Sequence, residues 1–123
     1  MTHEEKQLLL KDLCARLPYG VKILDIPANV VGELFLVSTT DTVEYETNDD
    51  TGVQTLCNIK PYLRPMSSMT EEELEEFHNY TNVDPISWLH YAIDWLNEHH
   101  FDYRGLIEMG LALEAKEGMY EKE

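Results

Sequence analysis

Ser87, His90 and Asp94 carry the residue types of a nucleophile, its base and an orienting carboxylate. They fall at i, i+3 and i+7, so a helix would place them on roughly one face. A working triad needs side chains that converge from different elements, so that the imidazole is engaged at both ring nitrogens. Three groups leaving one helix point outward together. A polar stripe opposite the apolar face explains them more simply, and no catalytic residue is assigned.

The histidines are His3, His78, His90, His99 and His100. His90 and Asp94 are one helical turn apart, and His99, His100 and Asp102 follow close behind. Together His90, Asp94, His99 and His100 are the candidate ligands of a metal-dependent hydrolase. The chain has no HExxH and no Cys/His pair at zinc spacing. Adjacent histidines also tend to diverge, so no metal or other cofactor is expected. There is no GxGxxG, P-loop, GxSxG or kinase signature.

Charge is the more informative chemistry. The 123 residues hold 9 Lys+Arg against 24 Asp+Glu, a formal net charge of -15. Residues 1–66 contribute -4 and residues 67–123 contribute -11, and no Lys or Arg lies between Pro65 and Tyr103. Such a balance disfavours direct nucleic-acid binding, which needs clustered cations, and disfavours an anionic membrane surface. It favours a basic partner, because a single-sign field steers association. The candidate contact residues are Glu71, Glu72, Glu73, Glu75 and Glu76, with Asp49 and Asp50 as a second cluster. Tyr62 and Arg64 stand between Pro61 and Pro65, where a proline-stiffened loop would present them as a preorganised contact.

These groups are positioned by a readable order of elements. Residues 2–17 predict a helix opened by a Thr2/Glu5 capping box, with Leu9, Leu10, Leu13, Cys14 and Leu17 on its buried face. Pro18 and Gly20 end it. Strands are expected at 19–26, 30–38, 43–47 and 53–59, with the strong turn Asn48-Asp49-Asp50-Thr51-Gly52 before the last. The two prolines of 60–65 argue against a central strand there. Thr70 and Glu73 make a second capping box, opening a helix over 70–79. Asp84-Pro85 opens another over 85–98, whose Ile86, Leu89, Ile93 and Leu96 predict the centre of the core. A last helix is expected over 104–115, with Asp102 as its cap and Arg104 paired to a carboxylate.

The fold class is therefore α+β: an N-terminal helix, an antiparallel meander of three or four strands, and three C-terminal helices packed on the sheet. The length fits one domain spanning residues 1–123. No leader pattern and no membrane-length apolar run is present, so a cytoplasmic setting is expected. In that compartment Cys14 and Cys57 are expected as buried free thiols.

Two long segments resemble a known group. They are Lys60-Pro61-Tyr62-Leu63-Arg64-Pro65-Met66-Ser67-Ser68-Met69-Thr70 and Trp95-Leu96-Asn97-Glu98-His99-His100-Phe101-Asp102-Tyr103-Arg104-Gly105-Leu106-Ile107. The opening 11–21 and the tail around 110–120 fit the same pattern. This combination resembles small acidic proteins of bacterial prophages and mobile elements, a group that carries no established activity. The resemblance implies a mobile-element origin and a bacterial host cytoplasm. It transfers no catalytic residue.

The expectation is a non-enzymatic interaction protein that binds a basic protein surface. A host nucleic-acid-handling or defence protein, inhibited through its nucleic-acid channel, is the natural target. The alternatives are the metal-dependent hydrolase above and a structural accessory acting as a homo-oligomer.

Overall fold

The computed structural model of the chain describes residues 1–79 and 84–120. Helix α1 (His3–Arg16) opens with the full capping box: Thr2 Oγ1 accepts from Glu5 N–H, and Glu5 accepts from Thr2 N–H. A single turn, Leu17–Tyr19, follows, and Gly20 takes a left-handed backbone at φ 69° that redirects the chain into the sheet. Five strands come next: β1 (Lys22–Asp25), β2 (Val30–Val37), β3 (Thr42–Glu46), β4 (Thr51–Thr55) and β5 (Ile59–Leu63). Helices α2 (Glu71–His78) and α3 (Pro85–Glu98) follow, and a two-residue strand, β6 (Leu113–Glu114), comes last.

The fold is α+β, with a larger sheet than the sequence suggests. Six strands run in the order β4-β3-β2-β1-β5-β6. Strands β1 to β4 form the expected antiparallel meander, β5 returns to pair antiparallel with β1, and β6 adds to β5 in parallel. The run 53–59, read as one strand, is two strand ends separated by the turn Leu56–Asn58. That short link, and a hydrogen bond from Gln54 Nε2 on β4 to Asp25 Oδ1 on β1 at 3.1 Å, require the sheet to curl toward closure.

Strand β5 corrects the reading of 60–65 as a sheet terminator. Pro61 sits inside it, opposite Ile23. Strand β6 covers only Tyr62 and Leu63, so the outer side of β5 is an edge at Pro61. A missing N–H there removes no rung of the ladder. Where Lys22 and Tyr62 would form the next rung, the strands admit a side chain instead. The Tyr120 hydroxyl accepts from Lys22 N–H at 2.7 Å and donates to the Tyr62 carbonyl at 2.8 Å.

Alternation along the strands selects an inner face of Val21, Ile23, Leu34, Val43, Tyr45, Ile59 and Leu63. These pack with Leu9 and Leu13 of α1 and with Leu56, Leu106, Leu111 and Ala112. The Tyr45 ring lies so close over Gly32 and Gly52 that a Cβ at either would collide with it. The phenol donates to Asp25 at 2.6 Å, and Asp25 also accepts from Gln54 and from Ala28 N–H.

Helix α3 is not the centre of this core. Its Ala92, Trp95 and Leu96 are buried, but Ile86, Leu89 and Ile93 are exposed at 84%, 54% and 37%. Trp95, Leu96 and Phe101 form a separate cluster, with Phe77 of α2, Met69 and Tyr103 against it. The helix therefore turns Trp95 inward and leaves Ile86, Leu89 and Ile93 outward, with only Leu96 of that stripe buried.

Two further expectations are corrected. Residues 104–115 form turns and then β6, so the third C-terminal helix does not exist. Asp102 still caps, accepting from Leu106 N–H and Ile107 N–H, but it closes a turn at which the chain reverses. Cys14 and Cys57 are both exposed free thiols. On α1 the buried positions are Leu9, Asp12, Leu13 and Arg16. The inward ion pair of Asp12 with Arg16 rotates the helix and leaves Cys14 outside. Cys57 lies in the exposed turn between β4 and β5.

Candidate functional site

Helix α2 is acidic because its first turn reads Glu71-Glu72-Glu73, which the N-terminal partial positive charge tolerates well. Thr70 caps it and Glu73 completes the capping box. The five glutamates then divide by what they touch. Glu73 receives both arms of the Arg64 guanidinium, at 2.7 and 2.6 Å. That ion pair, with help from Thr70 and against the effect of partial burial, holds its carboxyl down at about 2. Glu76 accepts from Trp95 Nε1 at 3.1 Å, tying α2 to α3. Glu71, Glu72 and Glu75 face solvent.

Asp49 and Asp50 are exposed in the turn between β3 and β4. Asp50 is held by Thr47 Oγ1, which accepts from its N–H, and its own carboxylate accepts from Thr51 N–H. This cluster caps the β3–β4 hairpin at the β4 edge of the sheet.

Tyr62 and Arg64 do not form an exposed proline loop. Tyr62 is 4% exposed as an internal residue of β5. Arg64 follows directly after β5, its guanidinium lying over the Phe101 ring at 4.2 Å and its charge met by Glu73. Strand pairing of 59–63 with β1 draws the segment inward, with Pro61 inside the strand and Pro65 two residues beyond its end.

Ser87, His90 and Asp94 do not assemble. Ser87 Oγ donates to the cap residue Asp84 at 2.8 Å, while His90 Nε2 lies 3.4 Å from Asp94 on the exposed side of the helix. His99 stacks on Trp95, with Nδ1 2.9 Å from the Trp95 carbonyl oxygen. His100 turns away from it with a left-handed backbone at φ 62° and stacks on Tyr120 at 3.9 Å. Burial, reinforced by the nearby cations Arg16, Arg64 and Lys22, pushes the His100 imidazole down to about 3. Among the described residues no three His, Cys, Asp or Glu side chains are grouped to hold a metal ion.

A cleft of about 520 Å³ opens where Arg64, Glu73, Glu76 and His99 meet the segment 114–120. Its walls carry both signs of charge, and the Arg64 cation is already neutralised by Glu73. Of its hydroxyls, Ser68 Oγ donates to the Pro65 carbonyl at 2.6 Å and Thr70 Oγ1 accepts from Glu73 N–H at 3.1 Å. Lys22 Nζ donates to the Met119 carbonyl and Lys116 Nζ lies over the Tyr62 ring, so both of these cations bind the segment to the sheet.

Lys6, in the same way, pairs with Asp41 at 2.7 Å. All three arginines are engaged: Arg16 and Arg104 with Asp12, and Arg64 with Glu73. Sequence patterning missed two features. The pairing of Arg16 with Asp12 has an i,i+4 signature, but it looks the same as a solvent-exposed pair. The outward aliphatic stripe of α3 has none, because periodicity locates an apolar face without saying what covers it. No helix among the described residues is long and apolar enough to cross a membrane. Compared with family models, curated proteins and solved structures, the chain matches none of them.

Proposed function

We propose that this chain is a non-enzymatic interaction protein whose anionic helical surface binds a basic protein surface. The observation that carries the reading is the division of the α2 carboxylates. Glu73 and Glu76 are committed to holding the helix in place, while Glu71, Glu72 and Glu75 are directed to solvent. The absence of any Lys or Arg between Pro65 and Tyr103 supports it, since neither α2 nor α3 carries a lysine or arginine to offset that face. A rigid, single-sign helix face accelerates encounter with an oppositely charged surface and penalises like-charged ones. The prophage-like segments favour a bacterial host cytoplasm and, as target, a nucleic-acid-handling or defence protein whose basic channel the acidic face would occupy.

The test is a pull-down from nuclease-treated bacterial lysate at low and high salt, read by mass spectrometry. Wild-type chain is compared with Glu71→Gln/Glu72→Gln/Glu75→Gln. A basic protein recovered by the wild type at low salt, and lost both at high salt and with the variant, is the expected outcome. Equal recovery by the variant removes the acidic-face reading.

A further inference from the structure

Helix α3 leaves part of an apolar surface uncovered. Ile86, Leu89 and Ile93 recur at i, i+3 and i+7, so they line one side of the helix over about two turns. Trp95 fills the opposite side, and Leu96, one turn beyond Ile93 on the same stripe, is buried, so the uncovered part is the N-terminal two turns. A helix apolar on both sides is normally buried on both. Isolated exposed aliphatics need no explanation, but three aligned on one stripe mark a contact surface.

The surrounding charge selects what covers it. The stripe begins beside the cap carboxylate Asp84, and Asp94 and Glu98 follow along the exposed side of the same helix. No Lys or Arg occurs between Pro65 and Tyr103, so neither α2 nor α3 supplies a cation to the rim. A second copy of the chain would bring the same carboxylates, and another formal charge of -15, against this rim. Like charges facing one another disfavour that occupant. A helix with aliphatic residues on one face and Lys or Arg at its flanks satisfies both features at once, in the helix-against-apolar-face mode of recognition.

We propose that the Ile86/Leu89/Ile93 face of α3 is the docking surface for an amphipathic basic helix of a partner protein. This rests on the acidic-surface reading above and deepens it. The carboxylates steer the partner, and the aliphatic stripe holds it.

The test uses the full chain, labelled with nitrogen-15, and two synthetic peptides. One is an amphipathic leucine/lysine helix of about 18 residues; the other has the same charge with serine at every leucine. Binding is followed by amide chemical shifts and by affinity at two salt concentrations. The leucine/lysine peptide is expected to shift amides within residues 86–94. The variant Ile86→Ser/Leu89→Ser/Ile93→Ser is expected to weaken that peptide about tenfold or more while binding the serine/lysine peptide as the wild type does. The side chains replaced are exposed, and an unchanged thermal melting midpoint verifies that the variant is folded. The single variant Ile86→Lys, at the most exposed of the three positions, gives a second measurement in which the introduced cation repels the same peptide.

Equal affinity of wild type and triple variant for the leucine/lysine peptide overturns the proposal. A wild-type dimer in sedimentation velocity that the triple variant converts to monomer also overturns it, and assigns the face to a second copy. Weakening by Glu71→Gln/Glu72→Gln/Glu75→Gln with none from the α3 variant leaves the acidic-face reading standing and removes this one. No binding of either peptide at low salt removes both.

Discussion

Arg104 donates from Nε to Asp12 Oδ1 at 3.1 Å, across 92 residues of chain. The same carboxylate receives Arg16 Nε at 2.9 Å and Arg16 Nη2 at 3.2 Å, and Arg16 Nη2 also reaches the Phe101 carbonyl at 2.6 Å. One aspartate therefore joins α1 to the chain reversal after α3. Asp12 and Arg16 side chains are both fully buried, while Arg104 is partly exposed.

Removing that aspartate should be severe. Asp12→Ala leaves the Arg16 guanidinium buried with no counter-charge, and a loss of about 3–5 kcal/mol is expected. Arg104→Ala should cost only about 1 kcal/mol, because the Asp12–Arg16 pair survives and Arg104 is near water. Urea unfolding of the three proteins checks the ranking. Equal losses would mean that the buried pair is not what holds α1 in place.

The Tyr45 phenol and Asp25 form a second buried contact, inside the curled sheet. Tyr45→Phe removes a charge-assisted donor from a carboxylate that is 3% exposed, and about 1.5–3 kcal/mol should be lost. The hydrogen bond to Asp25, with burial, pushes the phenol up to about 12 from the usual 10.0. The folded value is the higher one. Its contribution to stability is therefore complete below pH 10.0 and is lost as pH rises through about 12. Absorbance titration of wild type and Tyr45→Phe should show one phenol fewer in that window. An unchanged titration curve would contradict the contact.

Arg64 and Glu73 set an acid limit. The Glu73 carboxyl is drawn down to about 2 from 4.5, first by the Arg64 guanidinium. Here the folded value is the lower one, so the contribution is present above pH 4.5 and fades as pH falls toward 2. In Arg64→Gln the Glu73 side-chain carbon should titrate close to the ordinary glutamate value by NMR. The variant should also lose the steepest part of the stability decline in that window. If Glu73 titrates identically in both proteins, the ion pair is not formed in solution.

The thiols give a direct test of burial. With Cys14 and Cys57 both exposed, a disulfide-exchange reagent should label two thiols per native chain without denaturant. Cys14→Ser and Cys57→Ser should each leave stability nearly unchanged, because neither removes core volume. Labelling that appears only on unfolding would place the cysteines back in the core.

Features that depend on neighbours a few residues away are legible in the order of amino acids. The capping boxes at Thr2/Glu5 and Thr70/Glu73 and the Asp84-Pro85 start are local hydrogen-bond and φ requirements, and all three helices begin where these place them. The meander from β1 to β4 follows the same way from alternation and turns. The concentration of negative charge in 67–123 is read from the sequence without any structure.

Which faces and pairings win depends on packing between distant segments. Pro61 reads as a strand breaker, yet β5 accepts it because its N–H side is an edge at that residue. The apolar run 30–38 reads as a strand, yet its register with β3 shifts between Leu34 and Leu36, and Phe35 and Leu36 are both exposed. The stretch 104–115 reads as a helix, yet it reverses on Asp102 and joins β5 as a parallel strand. Helix α3 carries Trp88 and Trp95 on one side and Ile86, Leu89, Ile93 and Leu96 along another, and periodicity does not rank the two. Only packing against Phe77 and Phe101 chose the Trp95 side and left Ile86, Leu89 and Ile93 outside. The physical reason is common to these cases. A hydrophobic period fixes where a face lies on its own element, while the partner that covers it comes from a distant part of the chain, or from outside it.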